Sequence, residues 1–197
     1  MLAAPALVTI AVIAVSLVIA AGHSGDKPGP SQRPAPVSSS SPSAATLKDG
    51  WYTVRAITGA PSAYCLAAVR DNQNQPILAQ LKCDDHDRTQ RVRLESTSGT
   101  TYKVEIRLGP NEPACATLDS TDTGARLHMN GCATGTRLQS FTLTSTGPGV
   151  VQLKPLATGM CLGVDNSSPT TLYAMQTTCD TPVRGYGFAP APAPTGR

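Results

Sequence analysis

Between residues 50 and 190, apolar and polar residues alternate over short stretches that turn-forming residues separate. The alternation is plainest in Trp51–Ile57, Tyr102–Ile106 and Val150–Leu153. A period of two is typical of β-strands with one buried face. No window longer than a turn or two keeps a helical period, so the pattern predicts an all-β domain of short strands. The predicted turns include Pro61, Asn72–Asn74, Pro110, Gly124 and Ser167–Pro169.

These strands belong to a unit that occurs three times along the chain. Each unit has two cysteines, 18, 17 and 18 residues apart, and the first cysteines are separated by 50 and 46 residues. Seven residues after the second cysteine comes a Gln or Tyr, and nine residues after it comes an apolar residue. Units of this size cannot each bury a core alone, so the three are predicted to share one. The downstream residues are Gln90 and Val92, Gln139 and Phe141, and Tyr186 and Phe188.

The six cysteines indicate an oxidising compartment, because an even count in a small β-patterned domain is typical of disulfides. Pairing within each unit would close loops of about 18 residues, each worth ~3 kcal/mol in the chain-entropy model. Coincidental spacing in an unrelated disulfide-rich domain is disfavoured by the three matched intervals. Zinc is disfavoured because no Cys-x-x-Cys or Cys/His pair has ligand spacing. The predicted pairs are Cys65–Cys83, Cys115–Cys132 and Cys161–Cys179.

Three approximate copies of the pattern Cys-Leu-x-Val…Cys-x6-Gln-x-aromatic, each with departures, lie within residues 50–190 and resemble the ricin B lectin family. The closest local matches are Cys161–Asp165 and Gln139–Phe141. The resemblance implies a β-trefoil of three disulfide-closed repeats and a carbohydrate-binding module. It also implies one core residue per repeat after the Gln, namely Val92, Phe141 and Phe188. The implied repeats cover about residues 50–98, 99–146 and 147–190.

The chain departs from this family at the residues that hold sugar. The family places an Asp two residues after the first cysteine, an aromatic two residues before the second, and an Asn just before the Gln. Each unmade hydrogen bond to the sugar costs ~1–3 kcal/mol of binding free energy. Because all three groups are absent, we do not expect a standard galactose-type pocket. The corresponding residues are Ala67, Thr117 and Gly163, then Leu81, Asn130 and Thr177, then Thr89, Leu138 and Gly185.

Other polar residues in the same regions predict a shifted pocket. Asp119 and Asp165 each lie four residues after the first cysteine of their repeat. The alternative is that they are ordinary turn residues, since Asp and Asn favour turns for local backbone reasons. The candidate ligand-binding residues are Asp119 and His128 in the second repeat, beside Asp122 and Asn130, and Asp165, Asn166, Tyr173 and Gln176 in the third.

The segment Leu2–Ala21 is free of charge and long enough to cross a bilayer as a helix. Residues 1–21 are predicted to be a membrane anchor, because no basic residue precedes Leu2; a cleaved signal peptide is the alternative. The later Lys27 and Arg33 favour a cytoplasmic domain, whereas the cysteines favour the opposite side. We give the cysteines more weight, and a basic stretch upstream of Met1 would resolve the conflict.

Residues 22–49 and 191–197 are predicted to be disordered, because they are rich in Pro and Ser or Ala and lack apolar periodicity. The first of these would act as a semi-rigid stalk, since prolines favour extended chain. The expected location is therefore the cell membrane, single-pass, with the C-terminal domain extracytoplasmic. Secretion after signal cleavage is the alternative.

The charge balance argues against nucleic acid as a partner. Residues 50–190 contain 12 Lys and Arg against 11 Asp and Glu, so no basic excess is available to displace counterions. No Gly-x-Ser-x-Gly, phosphate loop or unpaired cysteine is present, so we expect a non-catalytic monomer without cofactor or metal. The acidic stretch Asp84–Asp87 is interpreted as a solvated turn. The predicted partner is cell-wall or extracellular glycan, and the alternative is a degenerate trefoil that binds protein.

Overall fold

The computed structural model describes residues 45–57, 61–165, 172–180 and 185–195. In these ranges the regular elements are twelve β-strands and two single-turn 3-10 helices, at Arg88–Gln90 and Arg137–Gln139. The strands are β1 Gly50–Ile57, β2 Pro61–Arg70, β3 Pro76–Lys82, β4 Val92–Ser98, β5 Thr101–Gly109, β6 Glu112–Leu118, β7 Leu127–Asn130, β8 Phe141–Gly147, β9 Val150–Pro155, β10 Cys161–Asp165, β11 Leu172–Thr177 and β12 Gly185–Pro190.

Six of the strands form a closed antiparallel ring, in the order β1, β4, β5, β8, β9, β12 and back to β1. The other six form the hairpins β2–β3, β6–β7 and β10–β11. The hairpins meet one another through β3, β7 and β11, and so they cover one end of the barrel. A six-stranded barrel capped by three hairpins is a β-trefoil. The predicted all-β trefoil with three disulfides is therefore confirmed.

The core fills the barrel because alternate residues of its strands face inward. Val54, Leu94 and Val104 are fully or almost fully buried, and Leu66 and Leu78 extend the core under the cap. Among the residues implied by the family pattern, Val92 and Phe141 are buried as predicted. Phe188 is only partly buried, and its ring packs edge-on against Tyr52 with centroids 5.8 Å apart. It lies near the end of β12.

Three disulfides close the repeats on themselves: Cys65–Cys83, Cys115–Cys132 and Cys161–Cys179. Each joins the first strand of a hairpin to the chain just after the second strand. The first cysteine of each pair is buried, so the bond connects the core to the loop that returns toward the barrel.

A buried amide holds that loop in the first two repeats. The side-chain oxygen Oε1 of Gln90 accepts the Asp84 N–H at 2.9 Å, and the side-chain nitrogen Nε2 donates to the Lys82 backbone carbonyl at 3.0 Å. These two residues flank Cys83. Gln139 makes the matching bonds on either side of Cys132, at 2.8 and 2.9 Å. The repeated Gln is therefore a structural clamp on the cystine loop.

Tyr186 takes this position in the third repeat and bonds differently. Its hydroxyl accepts from the Gln80 amide at 3.2 Å and donates to the Leu162 carbonyl at 3.5 Å. Burial raises the pKa of Tyr186, and the hydrogen bond from Gln80 opposes this only weakly. The phenol therefore stays neutral and joins two hairpins instead of clamping its own loop.

The barrel end opposite the hairpins is closed by residues 45–49, which we call the strap. The Ala45 N–H donates to the Leu143 carbonyl at 3.0 Å. The Leu47 N–H donates to the Tyr102 hydroxyl at 3.1 Å, and that hydroxyl donates back to the Leu47 carbonyl at 3.0 Å. The strap belonged to the predicted linker, so folded structure starts earlier than the composition indicated. The available signal was Leu47, an apolar residue within a mostly polar segment.

The tail after β12 also departs from its prediction, because the Ala191 N–H donates to the Trp51 carbonyl at 2.9 Å. In the part of the chain that the structure describes, no helix has the length and apolarity to cross a bilayer. The predicted anchor at 1–21 and the linker up to residue 44 lie outside the described residues.

Candidate functional site

The three hairpins meet in a register that repeats around the pseudo-threefold axis. Ile77 of β3 lies opposite His128 of β7, Arg126 lies opposite Met175, and Tyr173 lies opposite Ala79. Leu127 and Met129 face the core, so their neighbours in the strand face outward. We call the side of the joined hairpins that is turned away from the core the hairpin face. It consists of Ala67, Ile77 and Ala79 in the first repeat, Thr117, Asp119, Arg126 and His128 in the second, and Asp165, Tyr173 and Met175 in the third.

In the second repeat this face holds an imidazole and an exposed carboxylate. His128 Nε2 lies 4.0 Å from Asp119 Oδ2, and the Asp119 side chain is 64% exposed. Thr117 lies directly opposite His128, but its hydroxyl already accepts from Gln139 at 2.9 Å and donates to the Cys115 carbonyl. The structure therefore brings Asp119 and His128 together, and both remain accessible to solvent.

The third repeat contributes a charged cluster that includes a residue from the second. The guanidinium of Arg126 lies 3.0 Å from the Asp165 carboxylate and 4.8 Å from the centre of the Tyr173 ring. Asp165 and Tyr173 are themselves opposite each other in the β10–β11 hairpin. The Arg126 side chain is 42% exposed, so the ion pair adds at most about 1 kcal/mol to stability. Arg126 was missed in the sequence, because its partners belong to the next repeat.

The first repeat presents no polar counterpart in the described part of this face. Ala67, Ile77 and Ala79 are completely buried, and the neighbouring Leu81 is partly buried. Apolar side chains cannot offer hydrogen bonds to a hydroxylated ligand. Among the described residues, the polar groups of the hairpin face therefore belong to the second and third repeats.

The sequence profile of the ricin-type beta-trefoil lectin domain matches residues 53–184, well over half of the chain. The chain belongs to the ricin B lectin family. The match covers all three disulfide-closed units and both clusters of the hairpin face. The predicted family is thus confirmed, although the residues that usually hold sugar differ at every one of the corresponding positions.

Solved structures share the fold of this lectin domain. The designed three-fold symmetric protein ThreeFoil has a TM-score of 0.61 at 20% identity, over 73% of this chain and 100% of its own. The Rhizoctonia solani agglutinin has a TM-score of 0.56 at 12% identity, over 76% and 100%. The Polyporus squamosus lectin, solved with the epitope Neu5Aca2-6Galb1-4GlcNAc, has 0.56 at 16%, over 74% and 50%. These identities are too low to carry more than the fold. No curated protein matches the sequence.

One predicted ligand residue of the lectin domain, Gln176, is not on the hairpin face, and another, Asn166, lies outside the described residues. Gln176 is wholly buried and faces the opposite side of β11 from Tyr173. Its side-chain oxygen Oε1 accepts from the Thr158 hydroxyl at 2.8 Å, and its side-chain nitrogen Nε2 donates to the Asp122 backbone carbonyl. Gln176 therefore ties a loop of the second repeat to the third and is unavailable to a ligand.

Replacing this amide is expected to destabilise the domain without removing a ligand contact. Gln176→Ala removes the buried hydrogen bonds to the Thr158 hydroxyl and the Asp122 carbonyl, which should lower the free energy of unfolding by ~1–3 kcal/mol. Urea unfolding followed by circular dichroism measures this. Gln152→Ala, a partly exposed Gln of β9, is the matched control and should change stability by less than ~0.5 kcal/mol. Equal effects of the two substitutions would contradict the assignment.

The acidic stretch after Cys83 is occupied with its own backbone. An Asp84 carboxylate oxygen accepts the His86 N–H at 2.8 Å, and an Asp87 oxygen accepts the Thr89 N–H at 2.8 Å. Across the described ranges, no three or more His, Cys, Asp or Glu side chains are grouped to hold a metal ion. These contacts fit a turn held by its own carboxylates.

Proposed function

We propose that this chain is a non-catalytic glycan-binding module that uses the hairpin face of its second and third repeats. The observation that carries the proposal is the gathering of Asp119, His128, Arg126, Asp165 and Tyr173 on one face of a ricin B-type lectin domain. Carboxylates and guanidinium groups make charge-assisted hydrogen bonds to sugar hydroxyls, and an aromatic ring packs against the apolar CH side of a sugar.

The two clusters would contribute differently to binding. Asp119 is the most accessible acceptor, because its carboxylate is 64% exposed and its imidazole partner is 4.0 Å away. Arg126 can donate to hydroxyls while it keeps its contact with Asp165. One side of the Tyr173 ring lies under Arg126, so a sugar would use the ring edge or the other side. Such a shallow site favours weak binding, with a dissociation constant on the order of 1 mM.

The module would work outside the cytoplasm. Three disulfides favour an oxidising compartment. In the proposed arrangement, Leu2–Ala21 anchors the chain in the cell membrane and residues 22–44 form a stalk toward cell-wall or extracellular glycan. Protease treatment of intact cells tests this placement: release of a fragment containing Trp51 supports it, and full protection until lysis contradicts it.

A glycan array probed with the full chain in detergent tests the binding function. At least one glycan should bind, and Asp165→Ala or Asp119→Ala should weaken that binding about 10- to 150-fold, the effect of losing one hydrogen bond to a charged group. Glu112→Ala removes the same charge from an exposed position away from the hairpin face and should leave binding unchanged.

Silence across the array from a folded chain, together with no binding of free glycans titrated to millimolar concentration, would contradict glycan binding. It would instead favour a trefoil that recognises protein. One feature supports this second function: Ala67 and Leu81 leave two of the family's sugar-side positions in the first repeat without a polar or aromatic side chain.

A further inference from the structure

A cleft of about 740 Å³ lies on the outside of the first repeat, away from the hairpin face. One wall is the loop and 3-10 helix after Cys83, and the other is the tail segment 192–195. The tail is brought there by the bond between the Ala191 N–H and the Trp51 carbonyl. This volume is typical of small-molecule sites.

Arg91 forms the back of the cleft and is only 9% exposed. Its guanidinium donates to the Thr53 hydroxyl at 3.0 Å and to the Asp85 carbonyl. The carboxylate paired with it is that of Asp85, which is 4.0 Å away and 79% exposed. A guanidinium has five N–H donors, so these neutral acceptors leave donor capacity. A buried cation with a distant, solvated counter-ion favours an anionic ligand.

A second guanidinium, that of Arg88, also lines the cleft. The matching residue of the second repeat, Arg137, is engaged by the Leu156 carbonyl at 2.9 Å. The residue that matches Arg91 is Ser140 in the second repeat, and its hydroxyl donates to the Thr136 carbonyl. In the third repeat the residue that matches Arg91 is Gly187, so two arginines occur at these positions only in the first repeat. They line the cleft together with Asp85 and Asp87.

We propose that this cleft is a second ligand site and that it binds an acidic saccharide through a uronate unit. The ligand carboxylate would accept from Arg88 and Arg91, since guanidinium groups match carboxylates in geometry and charge. The exposed Asp85 carboxylate would accept sugar hydroxyls. The prolines of the tail, Pro192 and Pro194, supply an apolar wall for the CH side of the ring. An acidic peptide fits less well, because Asp85 would repel its additional carboxylates without finding hydroxyls to bind.

Isothermal titration calorimetry on the full chain in detergent micelles tests the site. The probes are a galacturonic acid trimer and the neutral galactose trimer of the same length. The acidic trimer should bind at least about tenfold tighter, and Arg88→Ala should remove about tenfold of that preference, the effect of one charged hydrogen bond. Truncation after Ala191 removes the second wall and should weaken the acidic trimer to a similar extent. Arg55→Ala removes the same charge from an exposed position of β1 outside the cleft and should change nothing.

Three results would overturn the proposal: equal affinity for the two trimers, no binding of the acidic trimer, or binding that neither Arg88→Ala nor the truncation weakens. Tighter binding of a triglutamate peptide would overturn the saccharide assignment. The hairpin-face variant Asp165→Ala separates the two sites. It should keep full affinity for the acidic trimer, and if it alone lost that affinity, the cleft would be excluded while the hairpin face stood.

Discussion

Reduction of the three disulfides should unfold this domain near physiological temperature. Each bond closes a loop of 17 or 18 residues, so each contributes ~3 kcal/mol in the chain-entropy model. A domain of this size has a total stability of only about 5–15 kcal/mol. The core is built mainly of Val, Leu, Ile and Ala with few aromatic residues, and it offers little reserve. Thermal unfolding followed by circular dichroism, with and without a thiol reductant, measures the loss.

Variants that lack one disulfide at a time allow the contributions of the three disulfides to stability to be compared. Because the loops have nearly the same length, alanine replacement of both cysteines of any one pair should cost a similar amount, ~3 kcal/mol. A reduced chain that melted within a few degrees of the oxidised one would show that the core alone holds the trefoil. The proposed dependence on an oxidising compartment would then lose its physical basis.

Phe141 and Phe188 occupy the same position of their repeats, nine residues after the second cysteine. Of the two, Phe141 should be the more destabilising to replace with Ala. Phe141 is completely buried at the start of β8, so its loss removes apolar contact and leaves a cavity, at ~3–5 kcal/mol. Phe188→Ala makes the same chemical change at the matching position of the third repeat. Its ring is partly exposed and contacts Tyr52 edge-on, so a loss nearer ~1–2 kcal/mol is expected.

Urea unfolding of both variants checks this difference. A smaller or equal loss for Phe141→Ala would contradict the burial of the two rings as the structure gives it. The slope of the unfolding free energy against urea should stay unchanged in both variants, since neither replacement alters the surface exposed on unfolding.

The fold was predictable because its signals are local and repeated three times. Cysteine spacing, the Gln after the second cysteine and the strand alternation all recur at matched intervals, and a recurring unit points to a shared core. The strap was less predictable. Its polar composition resembles a linker, whereas its backbone is held by Tyr102, a residue 55 positions away from Leu47.

The candidate site was predictable only in part. Strand alternation shows which side chains share a face of one strand, but it does not show which strands of different repeats lie side by side. Tyr173 and Gln176 are three residues apart in one strand, so they lie on opposite faces, and only one of them could have faced a ligand. Arg126 enters the cluster through a contact between repeats, which no local pattern shows. Alignment of the three units would have placed Arg126 at the position that Tyr173 occupies in the next repeat.

The strap also determines how the domain would respond to mechanical force. Tension applied along the chain toward residue 45 would reach the Ala45–Leu143 and Leu47–Tyr102 hydrogen bonds before any barrel strand. Those bonds would yield first and lengthen the chain by a few residues, at most about 3.5 Å for each residue released. The barrel and the hairpin face would stay intact during this extension. Detachment of the strap would therefore relieve the first part of the applied tension before the barrel unfolds.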